Sequence, residues 1–280
     1  MIKQTLPNIE TGTQFRFLIN LNVKKSKMKK IIFVSVVSFL CGAATAQVNK
    51  GNAPAAKSNP HLKVFRQAMV SGDITTGISA LNYYISEQGA NSVYEDTLAM
   101  LYMQQGSWMQ CYFWVDKRMK VKPDDNGLME MKGICLDKLQ QPKEAIDIFE
   151  KLYAKTKSPY HAYKLMELQY SIRRLVECLA TAATAEKLEY KPDYTMTYSV
   201  GDQTGRTYLQ AGIFNIHALA LYDLDKKAEA KTYFERALAL DSNFVLARQN
   251  LDAINSMDTN ANKVKQEANN NPNSPANKQD

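Results

Sequence analysis

The stretch that decides the fold runs from Ala228 to Phe244 and reads AEAKTYFERALALDSNF. Within it, Ala230, Phe234 and Ala237 follow one another at steps of four and three residues. Because an α-helix has 3.6 residues per turn, this spacing places the three side chains on one helix face. The Asp-Ser-Asn sequence that comes next is typical of a turn. The stretch therefore predicts an amphipathic helix that ends at this turn.

A second apolar helix is predicted just upstream, with residues 223–226 as the turn between the two. Its apolar side chains are Phe214, Ile216, Ala218, Leu219, Leu221 and Tyr222. Two antiparallel helices of this length cannot bury both of their apolar faces alone, so similar helix pairs should be stacked against them. We therefore expect an internal repeat.

The segment from Ala211 to Phe244 spans 34 residues, the period of tetratricopeptide units. That family shows the pattern W-x2-L-G-x2-Y, then A-x3-F-x2-A, then P. Ala230, Phe234 and Ala237 match the second helix of the pattern, whereas Phe214 replaces the Trp and a serine replaces the Pro. The segment resembles the tetratricopeptide repeat (TPR) family, and the resemblance is closer in the second helix.

The same register recurs upstream without a gap at residues 58–91, 92–125, 126–159 and 160–193. The alternative is a helical bundle whose spacing is accidental. The repeat columns predict a set of small and aromatic core residues: Gly133, Ala145, Phe149, Ala230, Phe234 and Ala237. The expected fold class is all-α, a TPR-type solenoid of helical hairpins with about five units and a C-terminal capping helix.

Residues 194–210, YTMTYSVGDQTGRTYLQ, depart from the repeat pattern. The first part is rich in β-branched and aromatic residues, and two glycines bound the central turn, so the segment predicts a β-hairpin inserted between repeats. Insertions in repeat proteins often lie on the binding face. The alternative is a plain spacer loop.

Residues 211–258 are expected to hold the fifth unit and the capping helix, because VLARQNLDAINSMD has a polar face. The segment 259–280 contains almost no apolar residues. Such a composition cannot bury enough apolar surface to order a chain. We therefore predict a disordered tail from residue 259 onward.

A leader is predicted at residues 1–46. From Met28 onward the chain has two lysines, an apolar run at 31–40, and Ala-Thr-Ala before Gln47, which is the layout of a secretory signal peptide cleaved after Ala46. Leu40 before Cys41 departs from the small residue that lipoprotein signals, as a family, place there. A linker at 47–57 follows. This layout predicts export through the inner membrane to the periplasm or envelope of a bacterium, with no transmembrane span in the mature chain.

The basic charge of the chain belongs mostly to this leader. The chain has 35 basic and 28 acidic residues, and residues 1–46 hold seven and one of them, which leaves 28 and 27. This balance gives no support for binding to nucleic acid. Cys111, Cys135 and Cys178 fall in predicted helices, where packed thiols are expected rather than a disulfide framework.

The sequence shows no catalytic or metal-binding motif. The three histidines lie in different repeats, without a carboxylate pair at ligand spacing beside them. Neither a nucleophile elbow nor a phosphate-binding loop is present. We therefore predict a non-enzymatic protein without a cofactor.

The TPR resemblance implies a concave groove lined by the first helix of each unit. Its columns here are apolar where solvent exposure is expected, which is typical of an interaction site. These partner-binding residues are Met100, Met131, Ile134, Leu165, Leu168, Ile172, Ile216 and Leu219. In the alternative interpretation, curvature or the hairpin buries this stripe within the chain. The Lys and Asn pair by which some TPR domains hold chaperone tails is absent from the corresponding columns.

Two functions are compatible with these observations. The first is a scaffold or adaptor whose groove holds a segment of another envelope protein. The second is a glycan-binding accessory protein of envelope polysaccharide uptake, suggested by Tyr160, Tyr163 and Tyr170 together with His161 and Lys164. Tyr163 and Tyr170 also occupy core columns, which favours packing.

Overall fold

The computed structural model describes residues 59–89 and 92–269. The predicted signal peptide, the linker at 47–57 and the end of the tail from residue 270 lie outside these residues. The described chain divides into two compact parts, which we call the N-terminal region (residues 59–114) and the C-terminal region (residues 115–269).

The N-terminal region contains helix pairs that begin at polar caps. Its helices are α1 (Pro60–Ser71), α2 (Ile74–Gln88), α3 (Glu95–Gln105) and the first part of α4 (Trp108–Met119). The Asn59 side chain accepts a hydrogen bond from the His61 amide, and Asp73 accepts one from the Thr76 amide, which satisfies helix N-termini. The core is a cluster around Leu81. The other buried members are Ile78, Ile85, Leu98 and Leu101.

The C-terminal region continues the helix pairs and contains the inserted hairpin. Its elements are α5 (Asn126–Lys138), α6 (Pro142–Thr156), α7 (Pro159–Ser171), α8 (Leu175–Ala185), β1 (Thr195–Val200), β2 (Gln203–Tyr208), α9 (Leu209–Asp223), α10 (Lys227–Leu240) and α11 (Val245–Asn269). Helices pack in sequential pairs, and α9 also contacts α7 and both strands. The all-α, TPR-type solenoid predicted from the sequence is therefore confirmed.

The turn inside each helix pair repeats one backbone geometry. A residue with positive φ follows the first helix of every pair, at Gly72, Gly106, Gln140, Arg173 and Asp225. At each of these turns a backbone amide donates a hydrogen bond to the carbonyl of the residue five positions earlier, near the end of the helix. Examples are the bonds from Ser107 to Tyr102 and from Gln141 to Leu136. This is the hydrogen bond of a Schellman cap. The positions recur at steps of 34, 34 and 33 residues, and the longer last step contains the hairpin.

The small and aromatic columns meet in the core. All six residues assigned to these columns are buried. A Cβ on Gly133 would lie 2.7 Å from a ring carbon of Phe149, so the glycine allows the ring to approach the α5 backbone. In the last repeat, Ala230, Phe234 and Ala237 share one cluster with Phe244.

The predicted hairpin is present as an antiparallel pair. Val200 pairs with Gln203, which leaves Gly201 and Asp202 as the turn, and Gly201 has φ +57°. Because Asp202 does not have a positive φ, this combination is that of a type II′ turn, whose twist matches that of paired strands. The structure differs from the sequence interpretation at Leu209, which begins α9 instead of extending the strand, because it is buried and continues the apolar run of that helix.

The last helix is longer than predicted. Residues 259–269, assigned above to a disordered tail, continue α11 as far as Asn269. The segment TNANKVKQEAN contains neither proline nor glycine. Extending a helix that is already nucleated costs less than starting one, and six of these eleven residues are Ala, Lys, Gln or Glu. The structure therefore differs from the sequence prediction over residues 259–269.

Candidate protein-interaction site

The predicted groove residues divide into two groups in the structure. Met100 is 40 % exposed, and Met131, Ile134 and Ile172 are half-buried. The remaining four, Leu165, Leu168, Ile216 and Leu219, are only 2–3 % exposed. The expectation that the whole stripe faces solvent is therefore not met in the last two repeats, where the alternative interpretation applies.

Helix α9 explains part of this burial, because other elements surround it. Ile216 belongs to a cluster with Met166 of α7 and Cys178 of α8. Leu219 belongs to another cluster with Phe234 of α10. On a further side the hairpin covers the helix, since Met196 lies directly against the Gly212 backbone. The groove of an open TPR solenoid is thus occupied at α9 by the chain itself.

Among the described residues, seven large apolar side chains are exposed in each region, so they are denser in the shorter N-terminal region. Those of the N-terminal region are Val64, Val70, Tyr83, Val93, Met100, Met109 and Phe113. On α4, Met109 and Phe113 are one helical turn apart and each is 61 % exposed. The Phe113 ring lies 5.4 Å from the Trp114 ring in an edge-to-face arrangement. We call Met109 and Phe113 the α4 apolar pair.

The α4 apolar pair was missed in the sequence, although a signal was present. The segment from residue 108 to 114, WMQCYFW, has four aromatic residues and no charge. A helix that is apolar on all sides cannot hide every side chain in a thin solenoid. Counting apolar residues around the whole helix would therefore have pointed to an exposed apolar face.

A polar cluster joins α8, α9 and α10 in the C-terminal region. His217 Nδ1 donates to one carboxylate oxygen of Glu186 at 2.7 Å, and Arg236 donates to the other at 3.0 Å. The Arg236 guanidinium also lies 4.1 Å from the Phe214 ring centre and 4.6 Å from that of Tyr233. Burial lowers the pKa of His217, and burial together with a hydrogen bond to Glu186 raises the pKa of Tyr233. Because both Glu186 oxygens are engaged, this carboxylate acts as a structural acceptor.

A second histidine bridges helices one repeat earlier. His161 Nδ1 is 2.7 Å from Thr156 Oγ1, and its Nε2 is 3.1 Å from a carboxylate oxygen of Glu130. In both clusters the glutamate precedes the histidine by 31 residues, but the second interval contains the hairpin, so the two pairs do not occupy equivalent repeat positions. The shared spacing is therefore not a repeat signal.

The comparison with known families identifies the repeat. Residues 211–244 match the tetratricopeptide repeat family model. Together with the helix pairs and their recurring turns, this match identifies the repeat unit. The chain carries a tetratricopeptide repeat and has the TPR-type fold. A search of curated proteins found no match.

Solved structures share the fold of this TPR protein at low identity. The crystal structure of MamA protein has a TM-score of 0.53 and 16% identity, with 65% of this chain and 90% of that chain covered. YrrB, described as a TPR protein with an unusual peptide-binding site, has a TM-score of 0.53 and 12% identity over 68% and 89%. A MamA structure (41-end) from Desulfovibrio magneticus RS-1 gives 0.53 and 14% over 66% and 94%. At these identities the likeness establishes the fold.

The aromatic cluster of this TPR protein is mostly used for packing. Tyr163 and Tyr170 pack against the core cluster around Ile213, whereas Tyr160 is 37 % exposed. Lys164 donates to Glu167 on the same helix. Burial alone would lower the pKa of Lys164, but the charge and hydrogen bond of the Glu167 carboxylate outweigh it and raise this pKa. The structure therefore presents one exposed tyrosine here instead of an aromatic platform.

The buried thiols and the acidic groups show no reactive arrangement in residues 59–89 and 92–269. Cys111, Cys135 and Cys178 are buried, and burial raises the pKa of Cys178 to about 12. Within these residues no three His, Cys, Asp or Glu side chains are grouped so that they could hold a metal ion. Over the same part of the chain, none of the helices is both long and apolar enough to span a membrane.

Proposed function

We propose that this TPR protein is a non-enzymatic scaffold that binds a segment of another protein, chiefly through its N-terminal region. The observation that carries the proposal is the α4 apolar pair, exposed in a region with few charges. Scattered surface apolar residues are normal in monomeric proteins. A concentration of them with aromatic residues and depleted charge is typical of an interaction surface.

The groove contributes at its N-terminal end. Met100 is the only one of the eight predicted groove residues that is exposed, and it lies in the same region as the α4 apolar pair. The peptide-binding site described for YrrB, a chain of the same fold, supports a role of this kind.

The predicted leader places the proposed function in the envelope of a bacterium, with another envelope protein as the partner. The apolar run at 31–40 and the Ala-Thr-Ala sequence before Gln47 support export. Cell fractionation tests this part separately. Recovery of the protein in the cytoplasmic fraction at its full length would contradict it.

The binding proposal is tested with three tagged full-length proteins: the wild type, the double variant Met109→Asp/Phe113→Asp, and the control Val176→Asp. Val176 is 73 % exposed and lies on α8, so it carries the same chemical change to an exposed apolar site in the C-terminal region. Envelope partners captured by each protein are identified by mass spectrometry, and their affinity is measured with purified components.

We expect a stoichiometric partner that is retained by wild type and by Val176→Asp and lost by the double variant. All three proteins should melt at similar temperatures in circular dichroism. A partner retained equally by the double variant would contradict the assignment to the N-terminal region. Absence of any saturable partner would contradict the scaffold function itself.

A further inference from the structure

Strand β2 presents backbone groups that no other strand pairs with in the described residues. Because Val200 and Gln203 close a two-residue turn, they form a hydrogen-bonded pair, and such pairs alternate along the ladder. The amide and carbonyl groups of Gly205 and Thr207 therefore point toward β1. Those of Thr204 and Arg206 point outward, and this outward row is what we call the β2 edge.

The two edges of the hairpin differ in accessibility. On β2, Thr204, Arg206 and Tyr208 are all exposed. On β1, Thr195 and Ser199 are half-buried, whereas Thr197, opposite Arg206, is exposed. An unpaired strand edge is a template for an additional strand, and the more open edge is that of β2.

The hairpin is held in place, so the β2 edge is preorganised. Met196 lies against Gly212 of α9. The Tyr198 ring is 4.9 Å from the Phe244 ring, and its hydroxyl accepts a hydrogen bond of 3.2 Å from the Val245 amide. A strand that is already ordered avoids much of the entropy cost of binding.

Charge indicates which kind of strand would fit. Arg206 Nε donates to Thr195 Oγ1 at 2.8 Å. Among the described residues no carboxylate lies within ion-pair distance of Arg206. An acidic side chain on an added strand could reach this guanidinium, and opposite charges on neighbouring strands are stabilising. A second copy of β2 would instead bring a second Arg206 onto the same face, where like charges repel.

We infer that the β2 edge receives an extended acidic segment of a partner protein as a third strand. The added strand exchanges backbone hydrogen bonds with Thr204 and Arg206, and a carboxylate pairs with the Arg206 guanidinium. This inference rests on the proposed scaffold function and adds a second contact to it, on the hairpin instead of α4.

The test selects ligands for the full chain from a display library of random octapeptides. Selected peptides are labelled with fluorescein, and their affinity is measured by fluorescence anisotropy for wild type, Thr204→Pro, Thr197→Pro and Arg206→Glu. Thr204→Pro removes an outward amide from the β2 edge. Thr197→Pro removes an outward amide from β1 and is the matched control, since neither proline breaks the ladder between the strands.

We expect acidic peptides to be enriched. Thr204→Pro and Arg206→Glu should each weaken them by roughly tenfold, and Thr197→Pro by less than about twofold. Replacing the peptide's acid by lysine should restore affinity for Arg206→Glu. Methylating the peptide's alternate amide nitrogens should abolish binding, which tests the backbone contact without any protein variant.

Two results would overturn the inference. In the first, selected peptides bind Thr204→Pro as well as wild type but are lost in Met109→Asp/Phe113→Asp, which leaves the scaffold function intact. In the second, no peptide is selected although wild type captures an envelope partner. Failure of both the selection and the capture would reject the scaffold function as well.

Discussion

The N-terminal and C-terminal regions are built from the same repeat but differ in their content of charged residues and in the exposure of their apolar side chains. The first has six charged residues in 56 positions, and the second has 45 in 155. Exposed apolar side chains such as Phe113 are denser in the first, whereas predicted groove residues such as Leu168 are buried in the second. The difference teaches that repeat register fixes which face of a helix a residue occupies, while neighbouring elements decide whether that face meets solvent.

The largest effect should come from placing a charge in the same repeat column of each region. Leu168 is 2 % exposed and Met100 is 40 % exposed, and each is the ninth residue of its repeat (residues 160–193 and 92–125). Leu168→Asp should cost about 5 kcal/mol or more, because it buries an unpaired carboxylate, and the cooperative melt should be lost. Met100→Asp should change the free energy of unfolding by less than about 0.5 kcal/mol. Equal stabilities in urea denaturation would show that the regions do not differ in this way.

Removal of a phenylalanine ring compares packing in the two regions. Phe149 is fully buried, so Phe149→Ala should lower the free energy of unfolding by about 3–5 kcal/mol. Phe113→Ala should change it by less than about 0.5 kcal/mol, since the ring is exposed. Chemical denaturation of both variants checks this. If Phe113→Ala lowered the free energy of unfolding by more than about 2 kcal/mol, roughly four times the expected limit, the Phe113 ring would be part of the core.

The recurring turns allow a reciprocal exchange. Gly106 and Gln140 occupy the same position with φ +75° and +62°. Left-handed backbone costs a non-glycine residue about 1–2 kcal/mol, so Gln140→Gly should stabilise the protein by about 1 kcal/mol and Gly106→Gln should destabilise it by a similar amount. Thermal melts of the two single variants and of the double variant measure the sign of each change in stability. Changes of the same sign in the two variants would contradict the shared turn geometry.

The smallest effect is expected from the histidine of the C-terminal polar cluster. Glu186, Arg236, Tyr233 and Glu229 face or surround His217, and burial lowers its pKa below the ordinary value of about 6.5. The folded protein therefore binds fewer protons at this site than the unfolded chain near that pH. The stability from neutral His217 is present above pH 6.5 and is lost as the pH falls through the lowered pKa.

Melts between pH 8 and pH 5 test this sign. The difference in stability between wild type and His217→Asn should shrink as the pH falls. A difference that grows toward pH 5 would mean that the imidazolium is stabilised by Glu186 more than burial disfavours it.

Much of the fold could be predicted because local spacing determines it. Ala230, Phe234 and Ala237 gave the helix face, and the β-branched run before Gly201 gave the hairpin. What failed depended on distant contacts. No spacing within α7 or α9 tells that Leu168 and Leu219 are covered, because part of the cover comes from other helices and from a hairpin placed outside the repeat pattern.

For the candidate site, too, features set by local spacing could be predicted from the sequence, and features set by distant contacts could not. The sequence pointed to the groove columns, of which Met100 alone is exposed, and it missed the α4 apolar pair. The pairing of Glu186 with His217 crosses a repeat boundary and the hairpin, so no spacing within one repeat predicts it. The low number of charged residues in the N-terminal region is hard to interpret from sequence alone, because apolar residues at repeat positions are expected in the core whether or not they are exposed.

The burial of α9 on all sides has a consequence for how the protein unfolds. In a linear array each repeat touches only its neighbours, so end repeats can fray independently. Here α9 contacts α7, α8, α10 and both strands, and eleven consecutive residues, from 211 to 221, are buried. Opening any one of these elements exposes that helix. We therefore expect the segment from α7 to α10 to open as a single cooperative block, with one common opening free energy in hydrogen exchange.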